Sequence, residues 1–121
     1  MKNIFAPNSA APKESGVFGL PYSAEESKLI LLPVPWEPTT SYGGGTSRGP
    51  EAVLSASKQV DLFDIEVGKA YEAGIFMDSI NMEIMGLSEE MRSFAHEIIE
   101  RGGEIADRPE LQEALVKINS A

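Results

Sequence analysis

The 121-residue chain has no cysteine and a single histidine, His96. Without cysteine there is no disulfide, zinc ribbon or thiol catalysis. One imidazole limits a Ser-His-Asp triad to His96, and limits a metal site to His96 with carboxylates or to carboxylates alone. No stretch approaches the ~18 consecutive apolar residues of a membrane span. The start, Met1-Lys2-Asn3-Ile4-Phe5, is too short and too polar afterwards for a signal peptide, so a cytoplasmic chain is expected. Basic residues are also scarce. Ten Lys plus Arg stand against nineteen Asp plus Glu, a net charge of -9, which argues against binding nucleic acid or an anionic membrane through charge. The residues that are present, 42% hydrophobic and 24% charged, exclude global disorder and a coiled coil. At ~100–200 residues per domain the length suits one domain, able to bury roughly two-thirds of its unfolded surface.

Punctuation and charge are distributed unevenly. Seven of the eight prolines and six of the eleven glycines lie in residues 1–50, which carry four basic and four acidic residues. Residues 51–121 hold six basic against fifteen acidic residues and so the whole net charge. The first half reads as loop-rich surface architecture and the second as a helical, solvated acidic layer. Residues 1–28, broken by Pro7, Pro12 and Pro21 and without apolar periodicity, are expected to form a weakly structured arm. Residues 29–121 are expected to form a partial α/β domain.

Leu29-Ile30-Leu31-Leu32, extended by Val34, is a continuous apolar run and predicts a central strand of a parallel or mixed sheet, buried on both faces by helices, with regular pairing ended by Pro33 and Pro35. The segment that follows, Pro35 to Gly49, is long for a loop in a compact domain, and loops beyond ~12–15 residues are usually functional or disordered. Trp36 and Tyr42 disfavour disorder. They read equally well as substrate-facing aromatics and as loop anchors. Gly43, Gly44 and Gly45 permit positive φ and close backbone approach. Pro50 suits the first helical position, Glu51 complements the helix dipole, and Ala52–Ser57 continue the helix with small side chains. Val60–Val67 alternates loosely and predicts a short edge strand or an extended segment; Gly74–Met77 predicts another strand, ending at Asp78. Two helices are expected to close the chain. The first is capped by Ser88, with Met91, Phe94, Ala95, Ile98 and Ile99 on one face, and ends at Arg101-Gly102-Gly103. The second opens at an Asp107–Glu110 capping pair around Pro109, with Leu111, Ala114, Leu115 and Ile118 on its apolar face.

Chemistry-bearing patterns are weak. Gly44 and Gly49 have the outer spacing of a phosphate-binding loop, but Pro50 stands where the lysine is needed and removes an N–H donor. Gly43 and Gly45 fit a dinucleotide fingerprint whose sixth position is Arg48. A small anion at the Pro50 helix start remains an open reading. His96 with Glu97 or Glu100, and the pairs Glu89–Glu90 and Glu97–Glu100, read as the wet face of a helix rather than as metal ligands or an acid/base pair.

Taken in order, the segment from Leu29 to about Glu66 resembles the amino-terminal region of the ureohydrolase family of arginases, agmatinases and formiminoglutamases, and covers about a third of the chain. The matching features are the apolar strand ending in Pro33-Val34-Pro35-Trp36, the Thr39-Thr40-Ser41 turn and the glycines. Gly49-Pro50-Glu51-Ala52-Val53, the small-residue helix and Asp61-Leu62-Phe63-Asp64 follow. Agmatinase-like members are more similar than arginases proper. The resemblance implies the amino-terminal portion of a three-layer α/β/α arginase-like sandwich with a mainly parallel sheet. It also implies a hydrolase of guanidinium or amidine C–N bonds in which two manganese ions activate a water. The family's metal motifs, Gly-Gly-Asp-His, Asp-Ala-His-x-Asp and Asp-x-Asp, do not occur here, and Gly102-Gly103-Glu104 is not followed by Asp-His. No catalytic and no metal-binding residue is therefore assigned, no cofactor is expected on this chain, and manganese is expected in a full-length relative.

The loop residues Trp36, Thr39, Thr40, Ser41, Tyr42, Gly43, Gly44, Gly45 and Arg48 are expected to form part of a substrate rim or a subunit contact. The expected partners are the remainder of the enzyme or other subunits and, in the full-length form, a small guanidino or amidine substrate. The alternative reading is a stand-alone, non-catalytic interaction domain that binds through Trp36, Tyr42 and the last two helices.

Overall fold

Strand β1, Leu29–Leu31, pairs in parallel with β2, Ile75–Met77, in the register Leu29 to Ile75, Ile30 to Phe76 and Leu31 to Met77. The computed structural model describes residues 5–121. Three α-helices accompany the sheet: α1, Gly49–Ala56; α2, Met82–Glu100; and α3, Pro109–Ser120. The chain is α/β and divides into two compact units. One consists of Met1–Pro33 and Pro50–Ile80, described from Phe5 onward. The other consists of Val34–Gly49 and Asn81–Ala121.

In the first unit the parallel pairing agrees with the expectation, but the burial does not. Leu29 is 50% exposed and Leu32 72%, because the sheet among the described residues has two strands and nothing covers both faces of β1. The buried side chains are Val17, Leu20 and Tyr71, with Phe5 packed edge-on against the Tyr71 ring at 5.7 Å between centroids. Val17 and Leu20 flank a single 3-10 turn, Val17–Gly19, and Phe18 N–H donates to Ser57 Oγ at 2.9 Å. Ser57, just beyond α1, is buried and donates in turn to the Leu54 carbonyl at 3.0 Å. Pro50 was expected at the first helical position and stands second in α1, after Gly49, where its fixed φ still suits the first turn.

The edge strand expected over Val60–Val67 is not formed. Asp64 Oδ1 accepts from Glu66 N–H at 2.8 Å and Val67 N–H at 2.9 Å, and Asp64 makes an isolated antiparallel bridge with Gly68. A side chain that bonds the backbone two and three residues on closes a turn, and it competes with a ladder. Phe63, Ile65 and Val67 are left exposed.

In the second unit α2 begins seven residues earlier than expected. The cap is Asn81, whose Oδ1 accepts from Glu83 N–H at 2.9 Å and Ile84 N–H at 3.2 Å. Ile84, Ser88, Met91, Ala95 and Ile98 form the inward stripe, so Ser88 is a buried mid-helix residue and not a cap. The C-terminus closes at the expected glycines: Gly102 N–H donates to the Ile99 carbonyl at 2.9 Å and Gly103 N–H to that of Ile98 at 3.0 Å. Helix α3 presents Leu111 and Ala114 as its buried residues and packs along α2. Its start is not a capping box: Arg108 occupies the N-cap position without a side-chain cap and pairs with Glu97 of α2 at 3.1 Å, and Asp107 bonds Arg101 instead. Asn81→Ala is expected to lower the stability of this unit by ~1 kcal/mol, the usual worth of a polar N-cap, read as a shift in the urea midpoint. Ser88→Gly at the sequence-predicted cap would not test the same contact.

No helix among the described residues is long and apolar enough to cross a membrane.

Candidate functional site

The loop from Pro35 to Gly49 and helix α2 enclose two recesses in the second unit. The first is apolar, about 410 Å³, and lined by Val34, Trp36, Ile84, Leu87, Ile118 and Ala121. Trp36 sits here half-buried against residues of α2 and α3. The second is polar, about 350 Å³, and lined by Glu37, Gly44, Gly45, Ser47, Arg48, Ser88, Glu89 and Arg92.

The organising group of the polar recess is Glu37, a residue that the sequence does not single out. Its side chain is 2% exposed. Oε1 accepts from Gly45 N–H at 2.7 Å and lies 2.9 Å from Arg92 Nη1, while Oε2 accepts from Ser47 N–H at 2.8 Å. Glu37's own N–H donates to Ser88 Oγ at 2.7 Å, which gives the buried serine its purpose. The N–H groups of Ser47 and Gly45, helped by the Arg92 guanidinium, hold the Glu37 carboxyl below the usual carboxylate range against the opposing effect of burial. Pro35, between Val34 and Trp36 of the apolar recess, is fully buried.

The sequence-predicted loop residues separate into three groups. Gly44, Gly45 and Arg48 line the polar recess, and Trp36 lines the apolar one. Thr39, Thr40, Ser41, Tyr42 and Gly43 line neither and are exposed, with Tyr42 fully so. Tyr42 therefore does not anchor the loop, whereas Trp36 packs as an anchor would. Glu37, Arg92, Ser47 and Ser88 were missed. The available signal was the isolation of Glu37, a single acid between two prolines in the charge-neutral half of the chain, directly before a run of backbone donors freed by glycine.

The donor set does not suit a manganese pair. Both Glu37 oxygens are taken up by N–H donors and a guanidinium, Glu89 is the only other carboxylate lining the recess, and Arg48 and Arg92 bring like charge to any cation entering it. Among the described residues no three His, Asp or Glu side chains converge to hold a metal ion. His96, on the exposed side of α2, places Nε2 3.2 Å from Glu100 Oε1.

No family model matches the chain, and no solved structure matches it. Curated relatives do. An N(1)-aminopropylagmatine ureohydrolase of Thermus thermophilus is 38% identical over 85 residues, 67% of this chain and 28% of that protein. The protein of the same name from a second strain of Thermus thermophilus matches to the same extent. The N(1)-aminopropylagmatine ureohydrolase of Synechocystis is 41% identical over 56 residues, 45% of this chain and 18% of that protein. The chain thus spans less than a third of the length of these relatives. By these matches the chain is a relative of the agmatinase-like ureohydrolases.

Proposed function

We propose that this chain forms the amino-terminal part of an agmatinase-like hydrolase of guanidinium or amidine C–N bonds, with the Pro35–Gly49 loop as its contribution to a substrate rim or subunit contact. The observation that carries the reading is identity of 38% sustained over 85 residues that amount to only 28% of a ureohydrolase. The parallel pairing of β1 and β2 supports a place at the start of a larger, mainly parallel arginase-like sheet in a three-layer sandwich. The exposed apolar side chains of Leu29, Leu32 and Val34 would be covered there. The manganese ions that activate water in such a hydrolase would be held by residues outside these 121, and the substrate is a small guanidino compound such as N(1)-aminopropylagmatine or agmatine. Residues 1–28 act as an arm on the remainder of the enzyme or on another subunit, and the whole works in the cytoplasm as an oligomer.

Two measurements test this together. The 121-residue chain alone is expected to show no stoichiometric manganese isotherm in calorimetry and no urea release from guanidino substrates. Exchanged for the matching segment of the Thermus thermophilus enzyme, it is expected to support urea release by the chimera. Stoichiometric manganese binding by the isolated chain would remove the inactive-alone half of the proposal. A folded, manganese-loaded chimera without urea release would remove the hydrolase half.

A further inference from the structure

We propose that the Glu37 carboxylate is a clasp that sets the conformation of the glycine loop, with Arg92 as its counter-charge, so that neutralising the carboxylate releases the loop while α2 and α3 stay folded. This goes beyond the hydrolase reading and does not depend on it. The contacts from Glu37 to Gly45 and Ser47 join positions eight and ten residues apart, and so they close the neck of a loop. Of the residues between the neck positions that were expected to face a substrate or subunit, Thr39 through Gly43 line neither recess and are exposed, while Gly44 lies against Arg92. A loop with pinned ends and a free tip is a common way of presenting functional residues.

The clasp is built rather than incidental. A buried carboxylate needs partners for its lone pairs, and here two backbone N–H groups and one guanidinium supply them. Arg92 also packs on the loop. A Cβ placed on Gly44 would lie 2.0 Å from Arg92 Nη2 and 3.1 Å from Glu37 Oε1, so a side chain there would have to displace the guanidinium from the loop. The remaining charged groups lining the recess are Arg48, from the loop, and Glu89, from α2. Further along α2, His96 is engaged by Glu100. Of these, Glu37 is the carboxylate with its charge satisfied by the loop backbone itself, so its protonation turns one accepting oxygen into a donor and takes the charge from the other contact.

The sign follows from the depressed carboxyl. A group whose folded-state value lies below its unfolded one contributes fully above the ordinary carboxylate range, and its contribution is lost as pH falls through the folded value. In the intact chain, the amide resonances of Gly45 and Ser47 are expected to titrate together, with a midpoint below the ordinary carboxylate range. Those of Met91 and Ala95 are expected to stay in place over the same step. Glu37→Gln is expected to make the two loop amides insensitive to pH and to cut their hydrogen-exchange protection at neutral pH at least tenfold. Arg92→Gln is expected to leave the joint titration and move its midpoint toward the ordinary value. Loop amides that do not titrate in the unaltered protein would overturn the clasp, and that measurement stands even where Glu37→Gln fails to fold. A titration that persists in folded Glu37→Gln would also overturn it, by assigning the charge to Glu89 or another group.

Discussion

Leu111→Ala is expected to destabilise the second unit by about 2–5 kcal/mol, the range for deleting a fully buried leucine side chain. Several features of the α2–α3 seam push the effect toward the upper part. Leu111 is 3% exposed, and the other fully buried apolar residues of the two helices are Met91, Ala95 and Ala114. Two of these four are alanines, which let the helices approach closely but cannot move in to fill a hole. Met91 is then the one large buried side chain left on the seam. The surrounding contacts offer little compensation: Arg108 with Glu97 and Lys117 over the Phe94 ring are exposed, and such contacts are worth ~1 kcal/mol or less. Domains of ordinary stability have only ~5–15 kcal/mol in total, so a large fraction would be lost. The single tryptophan, Trp36, lies in this unit among Ile84, Leu87 and Ile118, and its emission reports the unfolding in a urea titration. Val116→Ala on the same helix is the comparison, because Val116 is 68% exposed and surface changes usually stay within ~0.5 kcal/mol. Equal midpoints for the two variants would show that Leu111 is not the core of this pair.

The helices were legible because their signals are local. The i, i+3, i+4 recurrence of Met91, Ala95 and Ile98 and the paired glycines after Arg101 specify a face and an end without reference to anything distant. The start of α2 was misplaced because two polar residues compete for the role. Ser88 has the composition of a cap but sits on the inward stripe, where its hydroxyl serves Glu37, and Asn81 caps instead. The same long-range contact explains why the centre of the candidate site was not read. Glu37 and Ser88 are 51 residues apart, and nothing in either neighbourhood announces the other. The apolar run Leu29–Leu32 indicated a strand of a parallel or mixed sheet, and it pairs in parallel, yet it encodes a demand for burial that two strands do not meet. Over Val60–Val67 the period-two pattern was present without a partner strand, and the Asp64 side chain decided the local geometry.

Gly74→Ala is expected to disrupt the first unit, through a mechanism that the sequence alone does not reveal. Gly74 directly precedes β2, has φ +79°, and turns the chain from the 3-10 turn Ala70–Ala73 into the strand. Its carbonyl accepts from Lys28 N–H at 3.1 Å and Leu29 N–H at 3.3 Å, which is where β1 begins to pair. A Cβ at this position would stand 2.7 Å from the Glu26 carbonyl oxygen and 2.8 Å from Ser27 Cα. Both are backbone atoms, so no side chain can swing aside, and the segment leading into β1 must move. The left-handed φ alone makes alanine unfavourable by roughly 1 kcal/mol. Forcing atoms into a closed space typically adds about 1–3 kcal/mol. Gly68→Ala separates the two contributions, since Gly68 has φ +69° but open space where its Cβ would go, and it is expected to show only the smaller loss. Amide exchange at Leu29 and Asp78 is the readout. Leu29 N–H bonds the Gly74 carbonyl and Asp78 N–H the Leu31 carbonyl at 3.0 Å, so the two amides mark the ends of the β1–β2 pairing. Both should lose protection in Gly74→Ala and keep most of it in Gly68→Ala. Equal losses in the two variants would mean that strain at φ, and not the close approach of residues 26 and 27, fixes glycine at position 74.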